Sequence, residues 1–262
     1  MKISACIITF NEQKNISRAI NSVKWADEIL VVDSESTDRT REIASELGAK
    51  VIVQKWLGFG AQKQFAVEKA SNDWILSLDA DEEISTKLQE EILFLKNSGP
   101  SADAYRISRL AIYMNRPIRH CGWYPDWQIR LFNRNKGRWK DFIIHESVEM
   151  QPNSSVEKLR GDILHYTVES LAHHSRMTTE RYAPLAAQQM FENGRKTSIL
   201  KIVTAGPTAF IRTYFLKLGF LDGFPGFCIS YFAAHNATLK HMLLWELQNS
   251  QNLNKRLSQT GT

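Results

Sequence analysis

The chain has 262 residues, 43% of them hydrophobic and 23% charged, with a formal net charge of +5. Such a composition, without a low-complexity tract, excludes a disordered chain and leaves room for one large domain or a domain plus an appendage. Three cysteines, Cys6, Cys121 and Cys228, are odd in number and far apart, so neither a metal-spaced pair nor a disulfide framework is expected, and each reads as a small buried hydrophobe in a reducing compartment.

The N-terminal stretch MKISACIITFNEQ lacks the apolar length and cleavage site of a signal peptide and reads as a first strand over 3–10. Ile16, Ala19, Ile20 and Val23 recur at helical spacing, predicting a helix over 14–26. A second strand is expected over 28–34. A helix follows with Thr37 or Asp38 as its cap and Gly48 as its stop. A third strand (50–54), a helix (59–71), a fourth strand in DWILSLDAD and a helix over 85–97 complete the first hundred residues. This alternation predicts an α/β fold built on an open, mostly parallel sheet flanked by helices. Ligands of such sheets bind outside the carboxyl ends of the strands. Thr9, Asn11 and Glu12 after strand one, Asp33 and Ser34 after strand two, and Asp79 and Asp81 after strand four therefore share one crevice.

The stretch WILSLDADEEIS passes from an apolar run to four carboxylates within five positions. Asp79 and Asp81 point to the same side of a strand end, and such close like charges need a cation between them. Hard carboxylate oxygens select Mg²⁺ or Mn²⁺, which bind through one or two carboxylates plus substrate phosphates. Glu82 and Glu83 are read as acids opening the next helix, where the helix dipole favours them.

The segments CIITFNEQKNISRAINSV, EILVVDSESTDRT and WILSLDADE resemble the nucleotide-sugar-binding half of an inverting family-2 glycosyltransferase with the GT-A fold. The resemblance implies that Thr9, Asn11 and Glu12 line a nucleotide pocket, that Asp33 meets the uracil, and that Lys63 is the basic residue of the family's Arg-Asn pair, followed here by Gln64. It places Asp79 near the ribose and metal and Asp81 on the metal. WYPDWQIRLFNR resembles the family's Arg-Leu-Phe segment, with Arg130 near the donor phosphates. GRWKDFIIHESVEM resembles the His-Glu that follows, with Glu146 as general base. His145 and His165 compete as a further metal or diphosphate ligand. Trp123, Asp126 and Trp127 are candidate acceptor or sugar contacts.

Residues 101–165 carry short strand-like pieces, and the pattern turns helical from about 169, with Pro184 interrupting the first helix. The expected organisation is a GT-A catalytic domain over 1–168, divided into a nucleotide-sugar-binding half (1–100) and an acceptor half (101–168), with a helical C-terminal region over 169–262. Residues 195–262 hold eight Lys/Arg against two acids, while the rest of the chain is near neutral. A neutral body argues against a nucleic-acid partner, and a basic, aromatic tail too interrupted to span a bilayer points to an anionic membrane surface.

The order of the tail after the His-Glu segment resembles the lipopolysaccharide core glucosyltransferases. That resemblance implies a UDP-sugar donor, UDP-glucose, and a lipid A–inner core acceptor on the cytoplasmic face of the inner membrane. Three rival readings are a transferase loading polyprenyl phosphate, a sugar nucleotidyltransferase and an inactive membrane-bound scaffold. ITFNEQKN has no glycine to cradle a triphosphate, which argues against the second. Intact Asp33, Asp79, Asp81 and Glu146 argue against the third. Oligomeric state has no signal.

Overall fold

The computed structural model describes residues 1–140 and 146–260, with the side chains of 251–260 outside the description. The chain forms two compact units, one of residues 1–111 with 125–166 and one of 112–124 with 167–262. The segment 112–124, assigned from sequence to the acceptor half, thus clusters with the helical region.

The first unit opens with the expected alternation: β1 (Ile3–Thr9), α1 (Ile16–Ser22), β2 (Glu28–Asp33), α2 (Thr40–Glu46), β3 (Lys50–Val53), α3 (Phe59–Lys69) and β4 (Trp74–Asp79). Then come β5 (Glu82–Ile84), α4 (Thr86–Ser98) and β6 (Ala104–Tyr113). β7 (Arg116–Pro117) belongs to the second unit, where it pairs with the end of β6. β8 (Asp126–Asn133), β9 (Gly137–Lys140), β10 (Ser147–Met150) and β11 (Val156–Val168) follow. Strands β3, β2, β1 and β4 are neighbours in that order and all parallel. β8 joins β4 antiparallel, and β6, β11 and β5 continue the sheet. The expected α/β class, with a parallel run of four strands, is therefore present.

Burial explains the order. All of β1 and the first five residues of β4 are buried, as parallel strands covered on both faces must be. Ile16, Ile20, Ala44, Leu88 and Ile92 from α1, α2 and α4 pack one face of the sheet, and Ala66 and Val67 of α3 pack the other with Trp139 and Val148. α2 starts at Thr40 with Arg39 at the N-cap position, where neither expected cap, Thr37 or Asp38, stands; Asp38 accepts the Thr40 N–H from one residue earlier.

One expectation is corrected. Glu82 and Glu83 do not open a helix. They form β5, which pairs with β11 in the register Glu82↔His165, Glu83↔Leu164 and Ile84↔Ile163. The helix begins at Thr86, capped by Ser85, whose side chain accepts the Leu88 N–H. A strand of period two puts Glu82 and Ile84 on the buried face and leaves Glu83 to bond the Tyr166 hydroxyl.

In the second unit, α5 (Leu171–Arg176) runs through a widened turn over 177–182 into α6 (Ala183–Glu192). Pro184 sits at the start of α6, directly after the widened turn. α7 (Ile199–Ile211) packs closely on α8 (Gly223–Thr260): a Cβ on Gly206 would lie 2.4 Å from Thr238 Oγ1. Asp222 accepts from both the backbone (2.9 Å) and Nδ1 (2.9 Å) of His120. No helix of the described residues is long and apolar enough to cross a membrane. All three cysteines are buried and outside disulfides.

Candidate active site

Strand register places the first polar groups. Thr9 of β1 stands opposite Asp33 of β2, and Ile8 stands opposite Asp79 of β4, so three chain ends open on one edge. Asp33 is fully buried. Its Oδ1 accepts the Ser36 N–H at 2.8 Å and lies 3.8 Å from Arg41. Its Oδ2 and the Thr9 Oγ1 are buried without a hydrogen-bond partner among the described residues. Buried acceptors are rarely left so unless a ligand or water completes them.

Asn11 and Glu12 hold the loop after β2. Asn11, at φ +55°, receives the Thr37 N–H on Oδ1 and donates its own N–H to Ser36. Glu12 donates its N–H to Thr40 Oγ1 and accepts from Asn15 Nδ2 at 2.7 Å. The two residues brace the loop that carries Ser36 and so fix Asp33 Oδ1.

Lys63 projects from α3 and is only 1% exposed. Its ammonium lies 3.0 Å from Asp79 and 3.1 Å from Glu146, bridging the two carboxylates, with the Trp139 ring 4.8 Å away. Gln64, the next residue, accepts the backbone N–H of Trp139 and so anchors the strand that carries that ring. Burial would push the Asp79 carboxyl up. The Lys63 and Arg130 cations more than reverse this and hold it well below the usual carboxylate range.

Arg130 is buried as well. It donates to Glu82 at 2.9 Å and reaches Asp79 at 3.4 Å. The guanidinium expected at the donor phosphates is thus engaged by two carboxylates of its own chain. Glu82 and Arg109 are the partners that the sequence reading missed. Glu82 joins Arg130, Arg109 and the Asp79 N–H, and Arg109 binds Asp126 at 2.6 Å. The signal for Glu82 was present: Ser85 is a good cap, and acids that precede a cap cannot lie in the first turn.

Asp81 lies in the turn between β4 and β5, and its Oδ2 is 3.2 Å from His165 Nε2. Burial lowers the His165 pKa, but the hydrogen bond and charge of Asp81, with Glu82 behind it, raise it overall. Asp79, Asp81 and His165 are all partly exposed and supply oxygen and imidazole donors that suit Mn²⁺ or Mg²⁺. Among the described residues, no three His, Cys, Asp or Glu side chains already surround one point. The donor set fits a cation that takes its other ligands from phosphate. His145, the competing ligand, lies outside the described residues.

Of the candidate sugar contacts, Asp126 is held by Arg109, and Trp127 lies under Lys158 Nζ at 4.6 Å. Trp123 belongs to the second unit, edge-on to Tyr113 at 6.1 Å.

Residues 4–151 match the model of Glycosyl transferase family 2. A Rickettsia typhi protein named an uncharacterized glycosyltransferase is 37% identical, over 94% of this chain and 87% of its own. The lipopolysaccharide core biosynthesis glycosyltransferase LpsC of Rhizobium meliloti is 29% identical, over 93% of this chain and 94% of its own. A crystal structure of S. aureus TarS aligns at a TM-score of 0.44 and 15% identity, over 95% of this chain and 92% of that one. With the family model covering more than half of the residues and a relative above 30% identity covering nearly all of them, the chain belongs to glycosyl transferase family 2.

Proposed function

We propose that this glycosyltransferase moves a hexose, glucose in the first instance, from a UDP-sugar to the inner core of lipopolysaccharide, with inversion and with help from a divalent cation. The observation that carries the reading is the strand-end cluster itself. Two unpartnered buried acceptors, Thr9 Oγ1 and Asp33 Oδ2, stand beside an Asp-x-Asp turn and a Lys63–Glu146 pair. The name of LpsC, similar over almost its whole length, supports the acceptor class.

Each residue then has a chemical task. Asp33 Oδ2 accepts the imide N–H of uracil, and Thr9 Oγ1 completes the polar wall beside it. Asp79, Asp81 and His165 would hold Mn²⁺ or Mg²⁺, which when bound neutralises the charge that develops on the departing diphosphate. Lys63 places a further positive charge at Asp79. Glu146 takes the proton of the acceptor hydroxyl as its oxygen attacks the anomeric carbon, and UDP leaves from the opposite face.

Calorimetric titration of UDP, with and without Mn²⁺, tests the donor half of the reading. Asp33→Ala removes a charged hydrogen-bond acceptor, which costs about 1.5–3 kcal/mol, on the order of a tenfold to hundredfold weaker Kd. Unchanged UDP affinity in that variant would remove Asp33 from the site. A panel of UDP-sugars with extracted core lipopolysaccharide, read by mass spectrometry, tests the transfer, and no mass gain with any donor sinks it.

We also propose that the second unit rests on an anionic membrane surface. Between α7 and the first turn of α8 the chain exposes Phe215, Leu216, Leu218, Phe220, Leu221 and Phe224, with Leu216 at 75% and Phe224 at 63%. Arg212 and Lys217 are exposed in the same stretch. Apolar side chains mixed with bases are the pattern of an interfacial segment, each base adding about 1 kcal/mol near anionic lipid. The protein is expected to co-sediment with phosphatidylglycerol vesicles and less with neutral ones. Leu216→Asp with Phe224→Asp should abolish this while leaving UDP binding intact. Equal sedimentation of the double variant would refute the surface.

A further inference from the structure

Glu82 is as completely enclosed as Asp33, at 0% exposure, yet no step above uses it. Its two oxygens are divided between two tasks. Oε2 accepts the backbone N–H of Asp79 at 2.9 Å. Oε1 accepts from Arg130 at 2.9 Å and faces Arg109 at 3.6 Å. Its own backbone lies opposite His165 in the β5–β11 ladder, and the Tyr166 N–H reaches back to the Asp81 carbonyl at 3.0 Å. One side chain is therefore joined to Asp79 through an amide hydrogen bond and to Arg130 through a charge, while the strand paired with its own carries His165, the partner of Asp81.

We propose that Glu82 is the positioning residue of the Asp79–Ala80–Asp81 turn, holding both aspartates in the geometry that a metal-bound diphosphate requires and limiting Arg130 to its longer contact with Asp79. The inference rests on the metal-assisted donor reading given above. The physical reason is competition for one buried cation. Arg130 has two carboxylates within reach, Glu82 at 2.9 Å and Asp79 at 3.4 Å. While Glu82 takes the closer contact with the guanidinium, Asp79 meets it only at 3.4 Å, through Oδ2. Without that charge the guanidinium settles on Asp79 and occupies the lone pairs that a divalent ion would use. The hydrogen bond that the Asp79 backbone N–H donates to Oε2 works in the same direction, since it fixes the exit of β4 and thereby the aim of the next two residues.

Glu82→Gln tests the proposal because it keeps the volume and replaces one oxygen with an NH₂ group. Whichever way the amide turns, either the Asp79 N–H or the Arg130 guanidinium meets a donor. Glu82→Asp keeps the charge, shortens the reach by one methylene, and guards against a Gln variant that does not fold. The readout is UDP affinity of the full chain by calorimetry, with Mn²⁺ and with chelator. Loss of a residue that orients metal ligands weakens metal binding roughly 10–100-fold. UDP affinity with Mn²⁺ is expected to fall in that range for Glu82→Gln, and in the same direction for Glu82→Asp, while affinity in chelator stays at the wild-type value. A purely structural role would lower both affinities together. That outcome overturns the proposal, as does a folded variant with wild-type Mn²⁺ dependence. A wild-type protein whose UDP binding ignores Mn²⁺ overturns the donor reading and this inference with it. Wild-type dependence that persists in both variants overturns the inference alone.

Discussion

Glu146→Gln is expected to lower kcat by roughly 10²–10⁴-fold, the usual contribution of a positioned general base, with UDP-sugar affinity unchanged. The substitution is clean for a structural reason. Glu146 meets Lys63 through Oε1 at 3.1 Å, and a glutamine can present its carbonyl oxygen to the same ammonium. Lys63 also keeps Asp79 at 3.0 Å, so its buried charge is not stranded. The variant should fold, bind donor and fail in turnover. Steady-state kinetics with the donor and an acceptor hydroxyl separates these terms, because a group that acts only in the transition state moves kcat and not donor binding. Full turnover in the variant would mean that the acceptor oxygen needs no base. It would move the reading to an acceptor that is already an anion, such as a polyprenyl phosphate.

The Lys63 bridge also shows what a one-dimensional reading can and cannot reach. The alternation of strands and helices is written in local periodicity, and the rule that α/β sheets keep ligands at strand carboxyl ends turns that alternation into a list of residues. Thr9, Asp33 and Asp79 were reachable in this way, since each is the last residue of a parallel strand. Lys63 and Arg130 were identified by resemblance as ligands of the donor, yet in the folded chain both are buried in ion pairs with carboxylates of the site. Which partners meet them depends on pairings between β4 and β8 and between β5 and β11, across 48 residues in the case of Arg130 and Glu82. No local pattern encodes such pairings. Glu82 was misplaced for a different reason. A run of acids before a helix invites a dipole argument, but the Ser85 cap already placed these acids outside the helix, and the fold shows them in a short strand with Glu82 and Ile84 buried and Glu83 half-buried. The segment 112–124 could not be assigned by periodicity at all, because its membership follows from contacts made by the helical region.

The two aspartates of the Asp-x-Asp turn are expected to separate on substitution, because one of them serves folding as well as chemistry. Asp79→Asn leaves the buried cations Lys63 and Arg130 short of a partner, and breaking a buried ion pair from one side costs about 3–5 kcal/mol. Glu146 and Glu82 retain one cation each, which places the expected loss toward the lower end of that range. Asp81→Asn touches only the His165 imidazole at the edge of the site, so its stability should stay near that of the parent. Activity and Mn²⁺-dependent UDP binding should nevertheless fall in both. The sign of the pH dependence gives an independent check. The folded-state pKa of Asp79 is depressed by Lys63 and Arg130 against the effect of burial, so its stabilisation is present above the unfolded-state value of about 3.9 and is lost as pH falls below it. Urea denaturation at neutral and acidic pH should show the parent losing this increment on acidification while Asp79→Asn, which never had it, shows a flatter profile. Equal stability of the two asparagine variants at neutral pH would mean that the Lys63 and Arg130 charges are satisfied without Asp79, and the separation of folding from chemistry within the turn would be abandoned.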